Sequence, residues 1–237
     1  MNRPRSTYNG SKAGNGTYQN IINFIPMCDV FIDAMVGNGG IVCNLNLPGL
    51  TVINDIDAGI IDRFDIDDHG IKKENLDYRD LIDKYDNEDQ KNFFYFDPPY
   101  LKCTRKNQKD LYDHEWEFPD HEKFIEKVHT VKSNCMISCY PHALYAEGFE
   151  NWYKHLFWST TRNGQALECI YMNYPKPYIL QDFRYVGKDF IDRQRIKRKI
   201  ARWLNNLDAM PEIERNALLR SIIDKYNFTA DKLLNGL

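Results

Sequence analysis

The chain has 237 residues, a net charge of −3 and a pI near 6.1, with 43% hydrophobic and 14% aromatic residues. That fits one large domain, or one domain with a small appendage, with enough apolar material for a real core. No apolar run approaches the roughly 18 residues of a membrane span. The start, "MNRPRSTYNGSKAGNG", lacks the apolar core of a signal peptide. Six scattered cysteines with no CxxC pair suit reduced thiols and a cytoplasmic protein. The six histidines show no metal-ligand spacing, so no metal site is expected.

In chain order, "DVFIDAM" (29–35) is predicted to be a buried strand, ended by the glycine cluster "VGNGG" (36–40). "LTVINDID" (50–57) makes a second strand with an acidic end, and "AGIIDRFD" a helix. "NFFYFDPPY" (92–100) is a third strand, followed by helical spacing at Phe124, Ile125 and Val128 within "HEKFIEKVHTV". "NCMISCY" (134–140) is a fourth strand, and "ALECIYMNY" (166–174) pairs as a late hairpin with "HLFWSTT" (155–161). Strand, glycine loop, helix and strand in repetition argue an α/β doubly wound, Rossmann-like sheet with helices on both faces.

Composition changes near residue 183, so a domain is expected over 1–183 and a basic helical appendage over 184–237. Residues 184–202 carry eight Lys/Arg against two Asp. Ile196, Ile200, Trp203, Leu204 and Leu207 form an apolar helical stripe there, beside Arg195, Arg198, Lys199 and Arg202 on a shared face. A second helix is expected after it, with Asp208 as its cap.

Three segments carry chemistry. Asp33 ends the first strand before Gly37 and Gly39, where backbone can approach a ligand closely. An acid there repels phosphate and suits an ammonium, although the glycines alone also make an ordinary turn. Asp55 ends the second strand, where an acid takes ribose hydroxyls or simply caps a helix. Together Asp33 and Asp55 describe a ligand with both an ammonium and a ribose, and S-adenosylmethionine has both. The third segment is Asp97-Pro98-Pro99-Tyr100. Two prolines present the Pro98 carbonyl rigidly beside Asp97, so two acceptors can hold both hydrogens of an exocyclic amine. Tyr100 adds a π face for a base. A base in a duplex must flip out to reach such a site, at a cost of on the order of a few kcal/mol.

With "YNGSK" (8–12), "FIDAMVGNGG", "NDID" and "YFDPPY" in this order, the sequence resembles the Dam-like DNA adenine N6-methyltransferases of the DPPY class. The likeness runs over roughly residues 5–180 and takes in "NLDYRDLI" and "LECIYMNY". It implies S-adenosylmethionine as cofactor and double-stranded DNA as partner. Carried over residue by residue, it implies Tyr8, Lys12, Asp33, Gly37, Gly39, Asp55, Asp77 and Tyr78 at the cofactor, with Lys12 reaching the cofactor carboxylate. It implies Asp97, Pro98, Pro99 and Tyr100 as the catalytic tetrapeptide. The chain departs from the family in one respect: Asp57 and Asp97 are 40 residues apart, too close for the usual target-recognition insertion. DNA contact is therefore expected from Lys102, Arg105 and Lys106 after the tetrapeptide, and from Arg195, Arg198, Lys199 and Arg202. The alternatives are an inactive nucleic-acid-binding protein of the same fold, or methylation of an RNA or protein amine.

Overall fold

The computed structural model describes residues 12–14, 16–65, 70–87, 91–106, 110–111, 113–161 and 164–226. The chain divides into two compact units, Met1–Asp182 and Phe183–Leu237.

The first unit is built on a seven-stranded sheet in the order β3-β2-β1-β4-β5-β7-β6. Its strands are β1 (Val30–Asp33), β2 (Leu50–Asn54), β3 (Ile71–Glu74), β4 (Asn92–Phe96), β5 (Asn134–Cys139), β6 (Tyr153–Thr161) and β7 (Gly164–Met172). The first five pair in parallel, and β7 runs antiparallel between β5 and β6. The expected doubly wound sheet and the closing hairpin are both present.

Central parallel strands are covered on both faces, which is why they read as unbroken apolar runs. Every residue of β1 and β4 is buried. Phe93, Phe94 and Phe96 are each wholly buried, and a phenylalanine buried in this way contributes on the order of 2 kcal/mol. Helices α1 (Thr17–Ile22), α2 (Ala58–Asp62), α3 (Tyr78–Tyr85), α4 (Phe118–Val128) and α5 (Ala143–Gly148) complete this unit. The sequence reading had no counterpart for β3: "IKKE" is a short edge strand with both lysines exposed, so it lacks the apolar alternation that marks a strand.

The strand order fixes where a ligand can sit. β1 is hydrogen-bonded to β2 on one side and to β4 on the other, so the winding direction reverses between β1 and β4. Loops leaving neighbouring strands at such a point diverge and open a crevice at their carboxyl ends. Asp33 ends β1 and Asp97 follows β4 directly.

The second unit holds α6 (Phe190–Asp208) and α7 (Glu212–Tyr226). Asp189 caps α6 by accepting from the Asp192 amide at 2.8 Å. Asp208 was expected to cap the following helix; instead α6 runs through it to a C-cap at Ala209. Neither helix buries a residue.

Candidate active site

The β1 loop is built so that backbone and one lysine can crowd together. Gly37 and Gly39 take φ of +50° and +64°, the left-handed region that glycine enters at little cost. A Cβ on Gly39 would lie 2.8 Å from the Phe64 ring, and one on Gly40 would lie 2.9 Å from Lys12 Cβ. Gly40 thus lets the Lys12 segment approach the loop. Asp55 braces the same loop, accepting from the Gly37 amide at 3.0 Å and from the Asp57 amide at 3.1 Å. Asn54, fully buried, donates to the carbonyls of Ala34 and Leu76 and accepts from the Leu76 amide, tying three strand ends together.

Asp33 is 2% exposed, and its Oδ1 has no hydrogen-bond partner. Burial pushes its carboxyl well above the usual range, and the nearby Asp97 and Asp55 push it further. Asp97 is also raised, mainly by burial, with Lys12 and Ser138 working in the opposite direction. The ammonium of Lys12 pairs with Asp97 Oδ1 at 2.7 Å, and the Ser138 hydroxyl donates to that same oxygen at 2.7 Å. Ser138 Oγ is held in turn by the Tyr95 hydroxyl at 2.9 Å. Among the described residues nothing hydrogen-bonds Asp97 Oδ2 or the Pro98 carbonyl. Oδ1 is saturated, and Oδ2 is the oxygen left to a ligand.

One cavity of about 1910 Å³ takes in Lys12, Asp33, Gly37, Asp55, Asp77, Tyr78, Asp97, Pro98, Pro99 and Tyr100. Single-ligand pockets run to about 1,000 Å³, so this one has room for two molecules side by side. Asp77 caps α3, accepting from the Arg79 amide at 2.9 Å, and the Arg79 guanidinium holds its carboxyl below the usual range. Tyr78 packs 5.6 Å from Trp116 and 5.4 Å from Phe124, ring centre to ring centre. Gly39 shapes the loop without lining the cavity, and Tyr8 lies outside the described residues.

The expected DNA contacts fare unevenly. Arg105 is 8% exposed, its guanidinium clasped by Glu115 at 2.6 Å and bonded to the Tyr100 carbonyl. Its place among the phosphate-binding cations is corrected: the guanidinium is buried and its terminal nitrogens are engaged by Glu115 and the Tyr100 carbonyl. Lys102 is partly exposed and bridges Asp110 and Glu117 at 2.8 and 2.5 Å. Lys106 is exposed and lines the cavity. Arg195, Lys199 and Arg202 are exposed on α6, as is Arg198; Arg195 pairs with Asp192 at 2.8 Å. Sequence reasoning missed Ser138, Glu168 and Trp116. Trp116 and Glu168 line the cavity and Ser138 reaches Asp97 from β5; Glu168 stands within "LECIYMNY", but nothing in that stretch marks it as a site residue.

Residues 60–166 match the family model described as D12 class N6 adenine-specific DNA methyltransferase. The match takes in the tetrapeptide Asp97–Tyr100 and agrees with the resemblance read from the motifs. A search of curated proteins finds no match. Among solved structures, precorrin 8w decarboxylase of Methanobacterium thermoautotrophicum is 10% identical, covers 74% of this chain and 100% of its own, and has a TM-score of 0.45. An rRNA methylase of Streptococcus thermophilus is 11% identical over 73% of this chain and 97% of its own, with a TM-score of 0.43. A Streptococcus mutans protein solved in complex with SAH is 15% identical over 65% and 94%, with a TM-score of 0.37.

S-adenosylmethionine is the methyl donor of the matched class, and the residues present fit it. The cofactor brings an ammonium and a sulfonium. The cavity offers buried Asp33, with an unpartnered oxygen, buried Asp55 and partly buried Asp97 against the buried Lys12 ammonium. A surplus of desolvated carboxylate favours a cationic ligand. Among the described residues no group of three or more His, Cys, Asp or Glu could hold a metal, and no helix is long and apolar enough to cross a membrane.

Proposed function

We propose that this methyltransferase acts on DNA, moving a methyl group from S-adenosylmethionine to the exocyclic N6 amine of a flipped adenine. The observation that carries the reading is the division of labour on Asp97. Lys12 and Ser138 hold Oδ1, while Oδ2 and the Pro98 carbonyl are two acceptors on a stiff prolyl turn. Two acceptors side by side match the two hydrogens of a primary amine. Holding both turns the nitrogen lone pair out of conjugation with the ring and toward an electrophile. Tyr100 provides the stacking face, and the family match over residues 60–166 supports adenine as the base.

When bound, the cofactor supplies an electrophilic methyl on a sulfonium. The chain's own work is alignment. Asp33 and Asp55 take the cofactor's ammonium and ribose and Tyr78 flanks its adenine, while Lys12, expected at the cofactor carboxylate, pairs with Asp97 and draws its pKa down against burial. Orientation of this kind is worth roughly 7–11 kcal/mol of barrier in well-aligned reactions. Lys102, Lys106 and the α6 cations supply phosphate contacts.

The test is tritiated methyl transfer to unmethylated DNA, followed by nucleoside digestion and chromatography. N6-methyladenine as the labelled product supports the reading. Label confined to RNA or to protein would sink it.

A further inference from the structure

Stacking a base asks nothing of a tyrosine hydroxyl, because the π face alone does that. Yet the Tyr100 hydroxyl donates to Glu168 Oε2 at 3.0 Å. Glu168 sits on β7 and is 5% exposed, a dry place for a carboxylate that no helix cap or exposed ion pair explains. Among the described residues, the ammonium placed near it by an ion pair is that of Lys12, at 4.0 Å. The same ammonium stands 4.5 Å over the Tyr100 ring and pairs with Asp97. At the other end of the residue, the Tyr100 carbonyl accepts from Arg105 Nη2. That guanidinium is locked by two bonds to Glu115, at 2.8 and 2.6 Å.

Tyr100 is therefore held at its backbone by Arg105, five residues on, and at its ring tip by Glu168, 68 residues on. A ring fixed at both ends has lost its rotamer freedom before a ligand arrives, so less order has to be imposed on binding. We propose that Glu168 is a positioning residue of the methyl-transfer site, fixing the plane of Tyr100 through its hydroxyl, with Arg105 anchoring the backbone. This rests on the reading of Tyr100 as the stacking face for the target base. It also accounts for a tyrosine, rather than a phenylalanine, closing the tetrapeptide.

A double-mutant cycle on methyl transfer to unmethylated genomic DNA tests it, with Tyr100→Phe, Glu168→Ala, both together, and Glu168→Gln. Losing a hydrogen bond to a charged group costs about ten- to hundred-fold, so Tyr100→Phe and Glu168→Ala should each lower kcat by that much. KM for S-adenosylmethionine should stay within about two-fold, since neither change touches the Asp33 side of the cavity. The double variant should be no slower than the slower single, because both remove the same bond. Glu168→Gln keeps an oxygen that can accept from the hydroxyl and should recover most of the rate. It is also isosteric, so it remains informative if the alanine variant folds poorly. Multiplicative losses, or a rise in KM in place of a fall in kcat, overturn the proposal. Wild-type protein that methylates no DNA overturns the proposed reaction instead. In that event urea unfolding of the same proteins without substrate decides whether Glu168 holds Tyr100: coupled losses uphold the clamp and independent losses overturn it.

Discussion

In the sheet unit, four carboxylates (Asp33, Asp55, Asp97 and Glu168) are wholly or largely buried around one lysine, whereas in the helical unit neither helix buries a residue and the cations of α6 stand in solvent. The division runs through composition as well. Residues 1–182 hold 19 Lys/Arg against 27 Asp/Glu, and residues 183–237 hold 12 against 7. Charge inside the sheet unit is expensive and geometrically fixed; on the proposed reading Asp33 and Asp55 serve a small cationic ligand and Glu168 serves Tyr100. Charge on α6 is cheap, mobile and additive, which is how a polyanion backbone is bound. Substitutions in the two units should therefore fail in different ways.

The largest effect belongs to Asp97. Asp97→Ala removes Oδ2 and strands the Lys12 ammonium, so methyl transfer should fall below detection in a tritium assay. Calorimetric affinity for S-adenosylmethionine should move only a few-fold; near-normal turnover would leave the tetrapeptide as a strand terminator. In the wild type, protonation of Asp97 falls on Oδ2, since Lys12 and Ser138 hold Oδ1, and weakens the acceptor left to the amine. Because burial raises its pKa, the acid limb of kcat should lie above the ordinary aspartate range.

Asp33 sharpens the contrast by separating binding from stability. Asp33→Asn should weaken S-adenosylmethionine binding by about ten- to hundred-fold, the cost of one charge-assisted bond. It should also make the ligand-free protein more stable at neutral pH. The sign follows from the direction of the shift. A carboxyl whose folded pKa is raised binds its proton more tightly folded than unfolded, so its contribution is lost as pH rises through the folded value. Asparagine has no charge to bury, so the stabilisation seen by urea unfolding should grow with pH. A less stable variant at every pH would mean that Asp33 is a structural acceptor and nothing more.

On α6, Arg195→Ala, Arg198→Ala and Arg202→Ala together should weaken DNA binding and flatten its slope against log salt by roughly 2–3 units. Cofactor affinity should not change. An unchanged slope would transfer the phosphate contacts to Lys102 and Lys106.

Much of the sheet unit was legible because its physics is local. Buried parallel strands must be apolar throughout, so "VFID" and "NFFYF" announce themselves, and an acid at the end of such a strand has no structural excuse. What stayed hidden is what depends on register. Ser138 reaches Asp97 because β5 pairs with β4, and Glu168 reaches Tyr100 because the hairpin folds back beside β5. Both sit in apolar strands where a single polar residue is unremarkable. Arg105 shows the opposite error. Its neighbours Lys102 and Lys106 made it look like part of a basic loop, and only the ion pair with Glu115 reveals that it turns inward.

The smallest effect exploits the fact that all six histidines lie in residues 1–182. His121, on α4, is wholly buried, shares a hydrogen bond between Nδ1 and the Tyr145 hydroxyl at 2.9 Å, and leaves Nε2 without a partner. Burial, and then the Arg105 guanidinium, push its pKa from 6.5 down to about 4, against smaller opposing pulls from Asp120 and Glu115. Between those two values the unfolded chain binds a proton that the folded chain refuses. Stability therefore rises with pH across this window and is lost as pH falls from 6.5 toward 4. The loss from this one group is on the order of 2–3 kcal/mol at the bottom of the window. Replacing His121→Phe and Tyr145→Phe together removes both hydrogen-bonding groups, which avoids leaving one of them buried and unpaired. The paired variant should unfold in urea with a midpoint that varies less over this range than the wild type's, by up to one proton's worth of slope. An undiminished slope would assign the acid sensitivity to His155, whose pKa is also lowered by burial. The helical unit, with no histidine among residues 183–237, should keep its far-ultraviolet helix signal through the same titration.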